Sequence, residues 1–250
     1  MTGGVILILA GAGWVLLATT PMPAGWPRQT VRGWLGWAAI VVGLGVVSIN
    51  VPAATPAPSP TKAAPVVRVP EVSAMYRRWV EQAAAEEWGV DGSPARLAAQ
   101  LHQESSWNPH ARSAVGAEGL AQFMPATARW IAQKFPGRLG GFDPWDPQQA
   151  ALAAAIYDAW LAERNPGAGQ CSTWSFALSA YNGGEGNLRR EQAMAAKAGR
   201  DQRRWGGNVA DMRVRSAGAW RENRAYVRKI LLVLEPAYIE AGWAGEAVCA

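Results

Sequence analysis

The 250-residue chain contains two histidines and two cysteines. His102 and His110 stand apart from Cys171 and Cys249 and show no metal-ligand spacing. A zinc site wants about four such ligands at characteristic intervals, so no metal is expected, and nothing in the sequence calls for another cofactor. Strand signals are equally scarce, which points to a mainly α fold. The formal charge is +5, with much of the excess between Arg189 and Lys229, including Arg203-Arg204-Trp205 and Arg213/Arg215. No nucleic-acid-binding motif accompanies it, so nucleic acid is not an expected partner and a solvated basic face is the plain reading. The sequence defines no oligomeric state.

Half of the residues are hydrophobic, yet the mean hydropathy is near zero. The apolar content must therefore be unevenly spread. Residues 4–20 and 33–51 are two nearly uncharged apolar runs, each close to the ~20 residues that span a bilayer. Between them lie Pro21, Pro23, Pro27, Arg28 and Arg32. Positive charge in a short loop marks the cytoplasmic side, so residues 1–51 read as a two-helix membrane hairpin with both ends facing out. Buried core helices are an alternative, but the remaining chain offers little to surround both. A second alternative takes the run from residue 33 as a signal sequence, cleaved near Val51-Pro52-Ala53. Retained anchors are favoured, because an upstream span makes an unusual leader. Either route exports the rest of the chain.

Residues 52–70 are rich in proline and alanine and read as a semi-rigid spacer. A disordered linker without a spacing role is the plainer reading. The globular part, 71–250, opens with Met75, Trp79, Val80, Ala83 and Ala84 at helical spacing and a stop at Gly89. Further helices are expected from Ser93-Pro94, from Pro125 to Phe135, from Pro147 through Leu161, over 172–181 and over 220–234. In an exported domain Cys171 and Cys249 can form a disulfide tying the tail to the core; two unpaired thiols are the alternative.

Ser93 can cap a helix whose first turn holds Pro94. Leu97, Leu101 and Glu104 then follow at i, i+4 and i+7, and Asn108-Pro109 is expected to stop the helix. Glu104 thus falls in a last turn, near the negative end of the helix dipole and on an apolar stripe. Desolvation and dipole both disfavour its ionised form, as a proton donor at neutral pH requires. A glutamate at a helix end is more often a solvated surface residue, and helix position alone does not make it catalytic.

The surrounding residues sharpen the choice. Glu104-Ser105, Ser113-Ala114-Val115-Gly116-Ala117 and Gly119-Leu120-Ala121-Gln122-Phe123-Met124-Pro125-Ala126-Thr127-Ala128 resemble the first two motifs of the soluble-lytic-transglycosylase domain. That domain is a mainly helical, lysozyme-like fold related to goose-type lysozyme. Ala180-Tyr181-Asn182-Gly183-Gly184-Glu185-Gly186 resembles its third motif and Glu222-Asn223-Arg224-Ala225-Tyr226-Val227 its fourth. The resemblance covers about residues 72–238. Ala121 stands where the family usually has methionine. The interval from Tyr181 to Tyr226 is long, basic and glycine-containing, which is similar to members carried by phages and prophages.

The resemblance implies a peptidoglycan lytic transglycosylase. Glu104 would protonate the oxygen joining N-acetylmuramic acid to N-acetylglucosamine, then take the proton of the muramoyl 6-hydroxyl as it closes a 1,6-anhydro ring. A nucleophile within the substrate carries a large effective molarity, so the second carboxylate of most glycosidases is dispensable. Ser113 and Gln122 would hydrogen-bond the sugars, Met124 would line the cleft, and Tyr181 and Tyr226 would pack on a sugar and place hydroxyls. A core role with a satisfied hydroxyl is the alternative for Tyr226. Ser105 and Asn182 would be supporting residues, and Trp107 a core residue. The partners implied are glycan strands and, through residues 1–51, the bacterial cytoplasmic membrane, with the catalytic domain on the periplasmic side. The basic excess would favour the anionic wall. Competing readings are a goose-type muramidase with an aspartate-positioned water, a non-catalytic wall-binding anchor, and membrane permeabilisation by the apolar runs. Wall turnover, secretion and phage lysis all need the same bond broken.

Overall fold

The computed structural model describes residues 7–10, 13–16, 67–89 and 92–249. The second apolar run and most of the proline-rich segment lie outside these. In the first run, Leu7–Ala10 (β1) and Gly13–Leu16 (β2) pair antiparallel, with Leu7 opposite Leu16. This departs from the helix expected over 4–20. Ile8 is in register with Val15 across the ladder, and Gly13 costs a helix about 1 kcal/mol. Among the described residues no helix is long and apolar enough to cross a membrane.

The described residues of the second unit, 67–89 and 92–249, are mainly helical. Its first described residues, Val67 and Val69, already pack on the core. α1 (Ser73–Trp88) lies along α5 (Pro147–Arg164), α5 along α6 (Gln170–Gly183), and α6 against both α7 (Glu185–Lys197) and α8 (Ala217–Lys229). α3 (Pro125–Lys134) is followed at once by a single turn, α4 (Pro136–Leu139), so Pro136 opens a helix where a break was expected. Ala150, Ala151, Ala153, Ala154 and Ala155 are all buried, and such small side chains let the neighbours of α5 approach closely.

At the centre is α2 (Pro94–Ser105), which touches α1, α5 and the C-terminal turns. Residues 94–101 are buried without exception. A helix so enclosed must satisfy its polar groups from its neighbours. Ser93 caps it by accepting the Arg96 N–H at 3.2 Å and itself donates to Glu235 at 3.1 Å. Glu235 in turn pairs with the buried Arg96 at 2.9 Å. The helix ends three residues before the expected Asn108-Pro109 stop, with Ser106 and Trp107 at φ 52° and 67°. Tertiary packing wins over the local signal here. The Trp107 indole turns into the core, stacks on Tyr76 at 5.6 Å and donates to the Tyr238 hydroxyl at 2.6 Å.

α8 runs on through a π-wound turn, Ile230–Leu234, into α9 (Glu235–Glu240). The widening precedes Pro236, whose ring and missing N–H cannot serve the carbonyl four residues back. α7 was not foreseen. Its inner face is Leu188, Glu191 and Ala195, and its middle member is a carboxylate held by Arg215 at 3.1 Å and Arg224 at 2.8 Å. Cys171 and Cys249 are joined by a disulfide that fastens the tail to the start of α6.

Candidate active site

Glu104 occupies the last turn of α2, with Leu97 and Leu101 fully buried beneath it. The residue is half-buried and its carboxyl group is enclosed. Tyr226, from α8, donates its hydroxyl to Oε1 at 2.5 Å. Burial pushes the Glu104 carboxyl up to about 8, and the tyrosine hydrogen bond only partly opposes it. The shift expected from the sequence is present, and desolvation is its main cause.

A cleft of about 310 Å³ opens over this carboxyl, lined by Gln103, Glu104, Asn182, Glu222, Ala225, Tyr226 and Lys229. It brings three of the expected residues together: Glu104, Asn182 and Tyr226. Tyr226 is 4% exposed, so it is a core residue whose hydroxyl is satisfied by the candidate acid itself. Both readings of that tyrosine hold at once. Asn182 accepts from Asn223 Nδ2 at 2.8 Å. Asn223 is fully buried and also bonds the Ser179 hydroxyl at 2.8 Å, tying α6 to α8 immediately beside the cleft. It sits in the fourth motif, but its role was not foreseen.

Of the other expected residues, Ser113, Gln122 and Met124 belong to the loop between α2 and α3, Tyr181 to α6 and Ser105 to α2, and none of them lines this cleft. Two bridges, Arg112 to Glu118 and Glu118 to Phe123, fold this loop on itself. Gln122 sits at φ 48° and spends both amide hydrogens on the loop, donating to Ala111 O at 3.0 Å and Gly119 O at 2.9 Å. Its carbonyl oxygen is left for another partner. Ser113 Oγ accepts the Ala117 N–H at 2.9 Å. Met124 is 42% exposed. Gly119 also has positive φ, and a Cβ there would run into the carbonyl of Pro144. Tyr181 clamps the loop to α6: its hydroxyl donates to Ala121 O at 2.8 Å and its ring lies 5.7 Å from Phe123. Ser105 returns its hydroxyl to Leu101 O at 3.3 Å, within the helix end that carries Glu104.

The carboxylates nearest Glu104 in sequence are engaged elsewhere. Asp146 caps α5 by accepting the Gln148 and Gln149 N–H groups, and Asp143 accepts the Trp145 N–H at 3.0 Å. Glu118 faces Arg112 at 3.6 Å. A different acid, Asp158 of α5, is fully buried close to the site, and the Glu104 charge raises its pKa further. The sequence offered only a faint signal for it: a carboxyl in the middle of an alanine-rich helix. From Tyr181 an aromatic row continues through Tyr157, at 5.3 Å, to Trp160 and the half-exposed Trp130.

Residues 80–203 match the family model described as the transglycosylase SLT domain. This span holds Glu104, Ser113, Gln122 and Tyr181 and stops short of Tyr226. The chain is similar to a membrane-bound lytic murein transglycosylase F of Maricaulis maris, 39% identical over 135 residues, covering 52% of this chain and 26% of that protein. A second relative, membrane-bound lytic murein transglycosylase F 1 of Alkalilimnicola ehrlichii, is 37% identical over 132 residues, covering 52% and 24%. The chain thus spans about a quarter of the length of these relatives. Among solved structures, the 70 kDa soluble lytic transglycosylase of Escherichia coli aligns at 24% identity and a TM-score of 0.49, over 67% of this chain and 24% of that one.

Proposed function

We propose that this chain, which carries a transglycosylase SLT domain, cleaves the β-1,4 bond between N-acetylmuramic acid and N-acetylglucosamine in peptidoglycan without hydrolysis. The observation that carries the reading is a single glutamic acid, Glu104, kept protonated to about pH 8 under a tyrosine hydroxyl in an open cleft. Its proton goes to the glycosidic oxygen as the bond from that oxygen to C1 of the muramoyl residue breaks. The carboxylate so formed takes the proton of the muramoyl 6-hydroxyl as O6 bonds to C1. Charge and atoms balance with one side chain, and the enzyme ends as it began. Water need not be activated, so no second carboxylate is required.

The remaining roles follow from position. The free carbonyl of Gln122 can accept an N-acetyl N–H, while Ser113 and Met124 present a polar and an apolar contact from the same braced loop. Tyr181 braces that loop against α6, Asn182 lines the cleft, and Tyr226 aims the acid. Association with the cytoplasmic membrane through residues 1–51 is supported by the two apolar runs flanking Arg28 and Arg32, and by relatives named membrane-bound. The catalytic unit then works on the outer side, against the wall.

Digestion of purified peptidoglycan by the purified chain, followed by mass spectrometry, tests the reaction. The expected fragments end in 1,6-anhydromuramic acid, one water lighter than the reducing ends a muramidase leaves. Reducing ends alone would replace this reading with hydrolysis, and no fragments at all would leave a wall-binding module.

A further inference from the structure

Three polar side chains recur every fourth residue along α2: Arg96, Gln100 and Glu104. This spacing puts them on one stripe of the helix. Arg96 is matched by Glu235 at 2.9 Å and Glu104 by the Tyr226 hydroxyl. Gln100, between them, meets α5, where Asp158 Oδ1 accepts its Nε2–H at 3.3 Å. Gln100 is 1% exposed and Asp158 0%. Two atoms of this pair lack a partner among the described residues, Gln100 Oε1 and Asp158 Oδ2. With Asp158 ionised, both are buried acceptors, an arrangement that costs the desolvation of each. A proton on Asp158 resolves both together. Oδ2–H then donates to Gln100 Oε1, closing the two-point ring that a carboxylic acid forms with a primary amide.

We propose that Asp158, neutral within this ring, is a positioning residue that keeps the Gln100 amide away from Glu104. A glutamine at i and a carboxylate at i+4 are within side-chain reach on a helix. A free Nε2–H beside Glu104 would stabilise its ionised form and remove the proton that cleavage needs. Tied to α5, the amide spends one of its two N–H groups on Asp158 and is held off the Glu104 carboxyl. The surroundings agree. Burial, with the nearby Glu104 charge, holds Asp158 well above the usual carboxylate range against the opposing Gln100 hydrogen bond and the Arg96 charge. Tyr157, Tyr181 and Tyr226, which face the pair from α5, α6 and α8, have hydroxyls raised by burial and stay neutral. Glu235, beyond the π turn, spends its charge on Arg96. Lys229 and Glu222 stand exposed at the cleft mouth.

The inference rests on Glu104 being the proton donor, and its test separates the two ideas. Carboxyl ¹³C shifts of Glu104 and Asp158 are followed against pH in the purified chain, in Asp158→Asn and in Asp158→Leu, beside the pH profile of peptidoglycan cleavage. Asp158 is expected to stay protonated while Glu104 titrates. Asp158→Asn, whose amide can make both bonds to Gln100, keeps the Glu104 titration and the alkaline edge of kcat/KM. Asp158→Leu frees Gln100 and moves both toward acid by on the order of one pH unit, with kcat falling above it and KM holding. Adding Gln100→Leu to Asp158→Leu removes the misdirected donor and restores the edge. Asp158 titrating in the ordinary carboxylate range, or a folded Asp158→Leu with Glu104 unmoved, overturns the proposal. If the leucine variant does not fold, the Asp158 titration in the unaltered chain decides alone. A chain that titrates as stated but releases no fragments refutes the activity and leaves the pairing standing.

Discussion

Tyr226 and Glu104, far apart in the chain, meet at 2.5 Å, with the phenolic hydroxyl donating to the carboxyl oxygen. The bond favours the ionised acid, yet burial outweighs it and the carboxyl rests at about 8. Tyr226 therefore holds Glu104 by this bond and tempers the upward shift of its pKa.

Tyr226→Phe removes the hydroxyl and keeps the ring. Losing a donor to the carboxylate raises the Glu104 pKa further, so the alkaline edge of kcat/KM moves up in pH. The acid is also less well aimed, and kcat falls roughly 10²-fold. A pH–rate series on the phenylalanine variant checks both. An edge that moves down would mean the hydroxyl acts on something other than the carboxylate.

Glu104→Gln abolishes cleavage, and its effect on stability has a definite sign. The folded pKa of about 8 lies above the ordinary 4.5, so the folded protein holds this proton more tightly than the unfolded chain. Ionising Glu104 thus costs stability, and the cost grows as pH rises from about 4.5 to about 8, at ~1.4 kcal/mol per pH unit. The glutamine variant is spared it. Its advantage in chemical denaturation is absent near pH 4 and largest at pH 8 and above.

The stripe of Leu97, Leu101 and Glu104 was legible because amphipathic spacing and an N-cap are local signals, and the starts at Ser93-Pro94 and Pro147 were legible for the same reason. The end of α2 was not, since Trp107 leaves the helix to reach Tyr76 and Tyr238, and only long-range packing specifies that. α7 was hidden because the middle of its buried face is Glu191, which reads as a surface residue until Arg215 and Arg224 are beside it. Asp158 was hidden likewise, its partner Gln100 lying 58 residues earlier.

Glu191→Ala leaves Arg215 and Arg224 unpaired, with side chains only 6% and 12% exposed. Stranding buried charges costs about 3–5 kcal/mol, measurable by denaturant unfolding. Activity should fall as well, since Arg224 also donates to Asn223 at 2.7 Å and Asn223 holds Asn182 at the cleft. Glu185→Ala breaks the surface pairs with Arg164 and Arg189 and should cost less than about 1 kcal/mol.

Cys171 and Cys249 enclose a separation of 78 residues. Closing a loop of that length restricts the unfolded chain by about 4–5 kcal/mol, so Cys249→Ser or reduction lowers Tm by roughly 10–20 °C. The bond joins the start of α6, whereas the cleft takes Asn182 from its other end, so the Glu104-linked pH profile should keep its shape in the folded variant.

The basic excess between Arg189 and Lys229 is smaller at the surface than its count suggests. Arg215 and Arg224 are consumed by Glu191, Arg189 pairs with Glu185, Arg200 with Asp211 and Arg204 with Asp201. Arg190, Lys197, Arg203, Arg213, Arg221, Arg228 and, at the cleft, Lys229 are exposed and have no ion pair among the described residues. Attraction to the carboxylates of the wall should therefore run through these cations, and retention on purified wall should weaken as salt rises. Replacing the six outside the cleft by glutamine should flatten that response and release the protein at lower salt. A response that stays steep in that variant would assign the attraction to another face.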